Sequence, residues 1–63
     1  MLQEKNRFKQ TPLIVAAAHG QLNAVKVLIA MGANPNEEDK YGNTALHKAS
    51  EQKHNDVVDY LLN

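Results

Sequence analysis

Cysteine is absent from these 63 residues. That excludes a disulfide staple and a thiolate metal site, and it fits a reducing, intracellular setting, cytoplasmic or nuclear. Glycine occurs three times, always isolated, at Gly20, Gly32 and Gly42, so no Gly-rich loop exists to cradle a phosphate. The longest apolar run covers residues 13–18 and is far too short to span a bilayer. Residues 1–5 lack the basic-then-apolar design of a secretory leader. Net charge is also absent, with seven basic and seven acidic side chains. A chain this short makes at most one small domain and buries only about 60% of the surface its unfolded form exposes.

What is present is repetition. At a shift of 33 residues the chain matches itself, with identities at Glu4/Glu37, Thr11/Thr44, Leu13/Leu46, Ala16/Ala49, Val25/Val58 and Leu28/Leu61. Arg7/Lys40, Phe8/Tyr41, Asn23/Asp56 and Ile29/Leu62 are close in kind. A period of this size means one structural unit used repeatedly. Charge divides unevenly between the units: residues 1–33 carry a balance of +3 and residues 34–63 a balance of −3.

Each unit reads as two helices. Thr11 offers a hydroxyl to an orphan backbone N–H, and Pro12 at the first helical position loses no needed donor. A short, alanine-rich helix then runs to Gly20, which can adopt the left-handed conformation that stops it. Leu22, Val25, Leu28 and Ile29 recur at helical spacing in a second helix, from about residue 23 to 30, closed by Gly32. Two helices joined by so few residues lie antiparallel. Residues 37–43 are polar and turn-rich and suit a projecting loop. The cycle restarts at Thr44.

With the unit defined, its residues resemble the ankyrin repeat. The first unit carries Thr11-Pro12-Leu13, Ala16-Ala17, Gly20, Val25, Leu28-Ile29 and Gly32-Ala33-Asn34-Pro35-Asn36. The second carries Asp39, Gly42, Thr44-Ala45-Leu46-His47, Ala49, His54, Asp56, Val57-Val58 and Leu61-Leu62. The resemblance implies an all-α fold: a solenoid segment of antiparallel helix pairs joined by a β-hairpin-like loop. Its parts are a repeat junction at 1–10, a helix pair at 11–32, a loop at 33–43 and a second pair at 44–63, incomplete at its end. Departures accompany the match. Ile14 replaces an expected histidine, so a Thr–His contact tying turn to helix is expected to be lost. Lys9 and Lys53 stand where glycine belongs, and a lysine at positive φ costs about 1 kcal/mol relative to glycine. Neither end reads as capped: Leu13, Ile14 and the Val57/Val58/Leu61/Leu62 face are expected to meet water on at least one side. Further repeats or another subunit are the expected partners of those ends.

No chemistry converges. His47 and His54 lack a third ligand of fixed spacing, so no metal and no cofactor is expected. Glu37-Glu38-Asp39 is an acidic loop run of the solvated kind, Ser50 occupies an alanine position, and an enzyme is not expected. Lys5, Arg7 and Lys9 with Phe8 form too small a basic patch for nucleic acid, and no membrane partner is expected either. What remains is recognition of a protein by a non-catalytic module. The resemblance places binding on a concave face made by loop tips and inner helices. Positions that vary while the frame stays fixed fit that role: Arg7, Phe8, Gln10 and His19 in the first unit, and Glu38, Lys40, Tyr41, Asn43, Glu51 and Gln52 in the second. Phe8 and Tyr41 stand out, because aromatics are common interface anchors. An assembly role, or the targeting part of a larger enzyme, is the alternative. The resemblance also puts Asn36 where some repeats are hydroxylated, although Pro35 replaces the aliphatic neighbour; an asparagine bonding its own loop is the favoured reading.

Overall fold

The computed structural model describes residues 5–62. Four helices follow one another: α1 (Pro12–Ala18), α2 (Leu22–Ala30), α3 (Ala45–Glu51) and α4 (Asn55–Leu62). None is long and apolar enough to cross a membrane.

The same local devices build both helix pairs. Thr11 and Thr44 sit extended before α1 and α3, each with its hydroxyl accepting a backbone N–H three residues on, from Ile14 at 3.2 Å and from His47 at 3.3 Å. Because the threonine bonds to backbone, the side chain at position 14 or 47 is irrelevant to it. Ile14 therefore loses nothing of the cap, while the His47 imidazole turns to Glu51 at 3.7 Å.

Three helices end in one motif. After α1, Gln21 N–H donates to Ala16 O and Gly20 N–H to Ala17 O; after α2, Ala33 donates to Leu28 and Gly32 to Ile29. After α3, His54 donates to Ala49 and Lys53 to Ser50. This Schellman geometry needs a left-handed residue, supplied by Gly20 (φ 70°), Gly32 (φ 97°) and Lys53 (φ 61°). Lys53 thus bears the strain expected of it, and so does Lys9 at φ 60°.

α1 is the centre of the packing, touching α2 of its own unit and α3 of the next; α2 and α4 meet only lightly. Alanines at 16, 17, 45 and 49, all at most 5% exposed, allow α1 and α3 to approach closely. Leu13, Ile14, Val25 and Val57 are at most 1% exposed. Each contributes about 1.5–3 kcal/mol through burial. This corrects the expectation that Leu13, Ile14 and Val57 meet water: the following face of the first unit and the leading face of the second cover each other. Val58 and Leu61 are half-buried, and only Leu62 of that helix face is well exposed, at 67%.

Candidate protein-binding face

Two turns project from the helix pairs, and one side-chain oxygen organises each. Asn6 Oδ1 accepts the N–H groups of Phe8 (2.9 Å) and Gln10 (3.1 Å). Asp39 Oδ1 accepts those of Tyr41 (2.8 Å) and Asn43 (2.9 Å). The backbone bonds correspond too: Asn6 N–H to Gln10 O and Lys9 N–H to Asn6 O, against Asp39 N–H to Asn43 O and Gly42 N–H to Asp39 O. A short polar side chain that bonds its own backbone two and four residues on fixes a turn without involving the residues at its point.

The points are therefore free to present side chains. Arg7 and Lys40 are exposed, and Phe8 and Tyr41 are 42% and 66% exposed. The Lys40 ammonium lies 5.8 Å from the centre of the Tyr41 ring, within cation–π range. The turns are also joined, since Lys40 N–H donates to Phe8 O at 2.8 Å and Lys5 Nζ pairs with Glu37 Oε1 at 3.0 Å. Phe8 and Tyr41 thus occupy equivalent points of neighbouring turns whose backbones are bonded together.

The remaining expected residues divide. Glu38 is exposed beside the second turn. Gln10 and Asn43 are half-buried and close their turns; the Gln10 side-chain oxygen accepts from the Asn6 amide at 3.0 Å. His19 and Gln52 are exposed C-caps of α1 and α3, with His19 Nδ1 2.9 Å from Val15 O. Glu51 is exposed and engaged by Lys48 at 3.3 Å. Because α1 packs on α3, His19, Glu51 and Gln52 lie at neighbouring helix ends.

Three features escaped sequence reasoning. Asn6 and Asp39 organise the turns, and their 33-residue separation is the signal that could have found them. His54 Nε2 lies 3.1 Å from Ala18 O, joining the second unit to the first. Its ring covers Gly20 so closely that a Cβ there would fall 2.5 Å from His54 Nδ1. In the loop after α2, the Asn34 side chain accepts from Asn36 N–H at 2.9 Å, so the bonding asparagine is Asn34.

A family model described as ankyrin repeats (3 copies) matches residues 1–63. The chain belongs to the ankyrin repeat family. It is 37% identical to Rabankyrin-5 of Mus musculus over 60 residues, covering 95% of this chain and 5% of that protein. It is 38% identical to the serine/threonine-protein kinase VIK of Arabidopsis thaliana over 61 residues, covering 97% of this chain and 14% of the kinase. Among solved structures, a chain in the complex of the Bd0816 predatory endopeptidase from Bdellovibrio bacteriovorus with immunity protein Bd3460 superposes with a TM-score of 0.94 at 32% identity. That match covers 98% of this chain and 32% of the other. This ankyrin segment therefore spans only a small part of the curated relatives it matches. Ankyrin repeats are protein–protein interaction modules, and the four-helix architecture is theirs.

Proposed function

We propose that this ankyrin segment binds a protein partner, without catalysis of its own, through its turn points and the adjoining ends of α1 and α3. The observation that carries this reading is the pair of turns. Their backbones are fixed by Asn6 and Asp39 while Phe8 and Tyr41 stand exposed at equivalent points. A prefixed backbone limits the entropy lost when a partner docks. Arg7, Phe8, Lys40 and Tyr41 make the central contacts, with Glu38, His19, Glu51 and Gln52 around them. Gln10 and Asn43 support the points from behind. The setting of its relatives fits the reading: one similar fold lies in a complex of an endopeptidase with an immunity protein, and one similar sequence lies within a kinase, where a segment like this would serve targeting.

A photo-crosslinking residue placed at position 41 and, separately, at the exposed position 27 of α2 tests the face. Position 41 captures a discrete protein and position 27 does not. Titration of that protein, once purified, then weakens at least tenfold with Tyr41→Ala and Phe8→Ala while urea unfolding is unchanged. Capture from position 27 alone, or titrations indifferent to both substitutions, refutes the proposal. Val57, first expected as an assembly contact, is fully buried and reports only on folding.

A further inference from the structure

Between them the two turns hold four basic side chains, Lys5, Arg7, Lys9 and Lys40, and three acidic ones, Glu37, Glu38 and Asp39. By count that is a nearly neutral surface, and the contacts make it otherwise. Asp39 is buried, with its Oδ1 accepting the N–H groups of Tyr41 and Asn43. Glu37 is half-buried and paired with Lys5 at 3.0 Å. Two of the three carboxylates are thus taken up by the scaffold, and only Glu38 is exposed, beside the second turn. Arg7, Lys9 and Lys40 are all exposed, and none of them joins an ion pair among the described residues. What the turns present outward is positive.

Lys9 points the same way for a second reason. It holds the left-handed position of the first turn at φ 60°, where its counterpart in the second turn is Gly42 at φ 80°. Gly42 N–H bonds to Asp39 O just as Lys9 N–H bonds to Asn6 O, so glycine closes this turn equally well. Lysine adds no backbone bond and bears the strain that glycine avoids. What it adds is an exposed cation, and strain that the fold does not require points to a surface role. The charges also stand beside the rings. Phe8 lies between Arg7 and Lys9, and the Lys40 ammonium lies 5.8 Å from the centre of the Tyr41 ring. The bond from Lys40 N–H to Phe8 O, 2.8 Å, holds both groups on one patch.

We infer that the turn points receive an acidic segment of the partner protein, one that carries aspartate or glutamate beside apolar side chains. The inference rests on the binding face proposed above and adds its charge preference. The segment's carboxylates meet Arg7, Lys9 and Lys40, and its apolar side chains lie on Phe8 and Tyr41, which are 42% and 66% exposed. Arg7 offers a planar fork that a carboxylate can engage with both oxygens. Complementary charge of this kind selects among partners and speeds encounter. Glu38 opposes it from the edge of the patch. A nucleic-acid strand fits less well, because its phosphates continue past three cations towards a unit with a balance of −3.

Selection from a random peptide library on the immobilised chain tests it. Peptides retained by the chain and lost with Tyr41→Ala and Phe8→Ala are the binders of this face, and their sequences are enriched in aspartate and glutamate. The chain carrying Arg7→Glu, Lys9→Glu and Lys40→Glu together retains the opposite class, rich in lysine and arginine. In titrations with one synthetic acidic binder, Lys9→Gly weakens affinity about threefold and Glu38→Gln strengthens it about twofold. Lys9→Gly raises the urea midpoint at the same time, so its weaker binding is not a loss of fold. Both effects shrink at about 1 M salt. Face binders that are neutral or basic, or a Lys9→Gly chain that binds as tightly, would overturn the charge preference and leave the face standing. A library that yields no peptide sensitive to Tyr41→Ala and Phe8→Ala would overturn the face as well. A single-stranded oligonucleotide that binds more tightly than the acidic peptide would overturn the assignment to a protein segment.

Discussion

The two helix pairs share a backbone and differ in what covers them. Leu13 and Leu46 follow the same threonine cap two residues on, yet Leu13 is 1% exposed and Leu46 is only half-buried. Local sequence sets where each leucine sits in its helix, and the neighbouring unit decides what that position is worth. Substitution at equivalent positions therefore separates the unit's own contribution from its neighbour's. The largest contrast is at this pair. Leu13→Ala costs about 2–5 kcal/mol, and Leu46→Ala costs roughly half as much. A core of this size seldom supplies more than about 3–5 kcal/mol, so Leu13→Ala leaves much of the chain unfolded by circular dichroism at 25 °C, and Leu46→Ala does not. Equal losses would mean that stacking between the units contributes little.

The next contrast lies at the helix stops. Gly20 and Lys53 occupy the same left-handed position, φ 70° and 61°, but only Gly20 has a neighbour over it. Gly20→Ala incurs the left-handed cost and displaces the His54 ring from Ala18 O, for about 2 kcal/mol in all. Lys53→Gly removes the cost without disturbing a contact and gains up to about 1 kcal/mol, as does Lys9→Gly in the first turn. Denaturant midpoints moving in opposite directions check the pair. A stabilised Gly20→Ala would show that the His54 contact carries no weight.

Much of this was legible in the sequence for a stated reason. Caps, stops and periodicity are local, so the threonine starts, the glycine stops and the strained lysines could all be placed from residue type. Burial was misjudged at Leu13, Ile14 and Val57 because a pattern shows which side of a helix is apolar, not which neighbour covers it. The expected Thr–His tie failed for a different reason: threonine bonds a backbone N–H, which Ile14 supplies as well as His47. In the candidate face, Phe8 and Tyr41 were legible as variable aromatics. Asn6 and Asp39 were not marked as organisers, because an oxygen that bonds its own backbone looks in sequence like any polar loop residue. His54 was read as a turn residue, since its partner lies 36 positions away.

The smallest contrast sets Asn6 against Asp39, two side chains doing one job with different charge. Asp39 is buried, and its Oδ2 has no hydrogen-bond partner among the described residues. Burial pushes its pKa up, but the N–H groups of Asn43 and Tyr41, and then the charges of Lys48 and His47, outweigh that and hold it below the ordinary aspartate value. A carboxylate whose folded pKa is depressed adds stability that is complete above its unfolded pKa, about 4, and is lost as pH falls through the lower folded value. The turn should therefore weaken on acidification below about pH 4. Asp39→Asn keeps the Oδ1 acceptor, as Asn6 shows that asparagine can, and has no proton to gain. Its stability at pH 7 should change by less than about 1 kcal/mol, while the slope of stability against pH between about 4 and 2 becomes shallower. Asn6→Asp should steepen the same slope, because it installs a titrating acceptor for the N–H groups of Phe8 and Gln10. If Asp39→Asn leaves the acid limb unchanged, the loss in acid belongs to the other carboxylates, and the two turns are equivalent in charge as well as in shape.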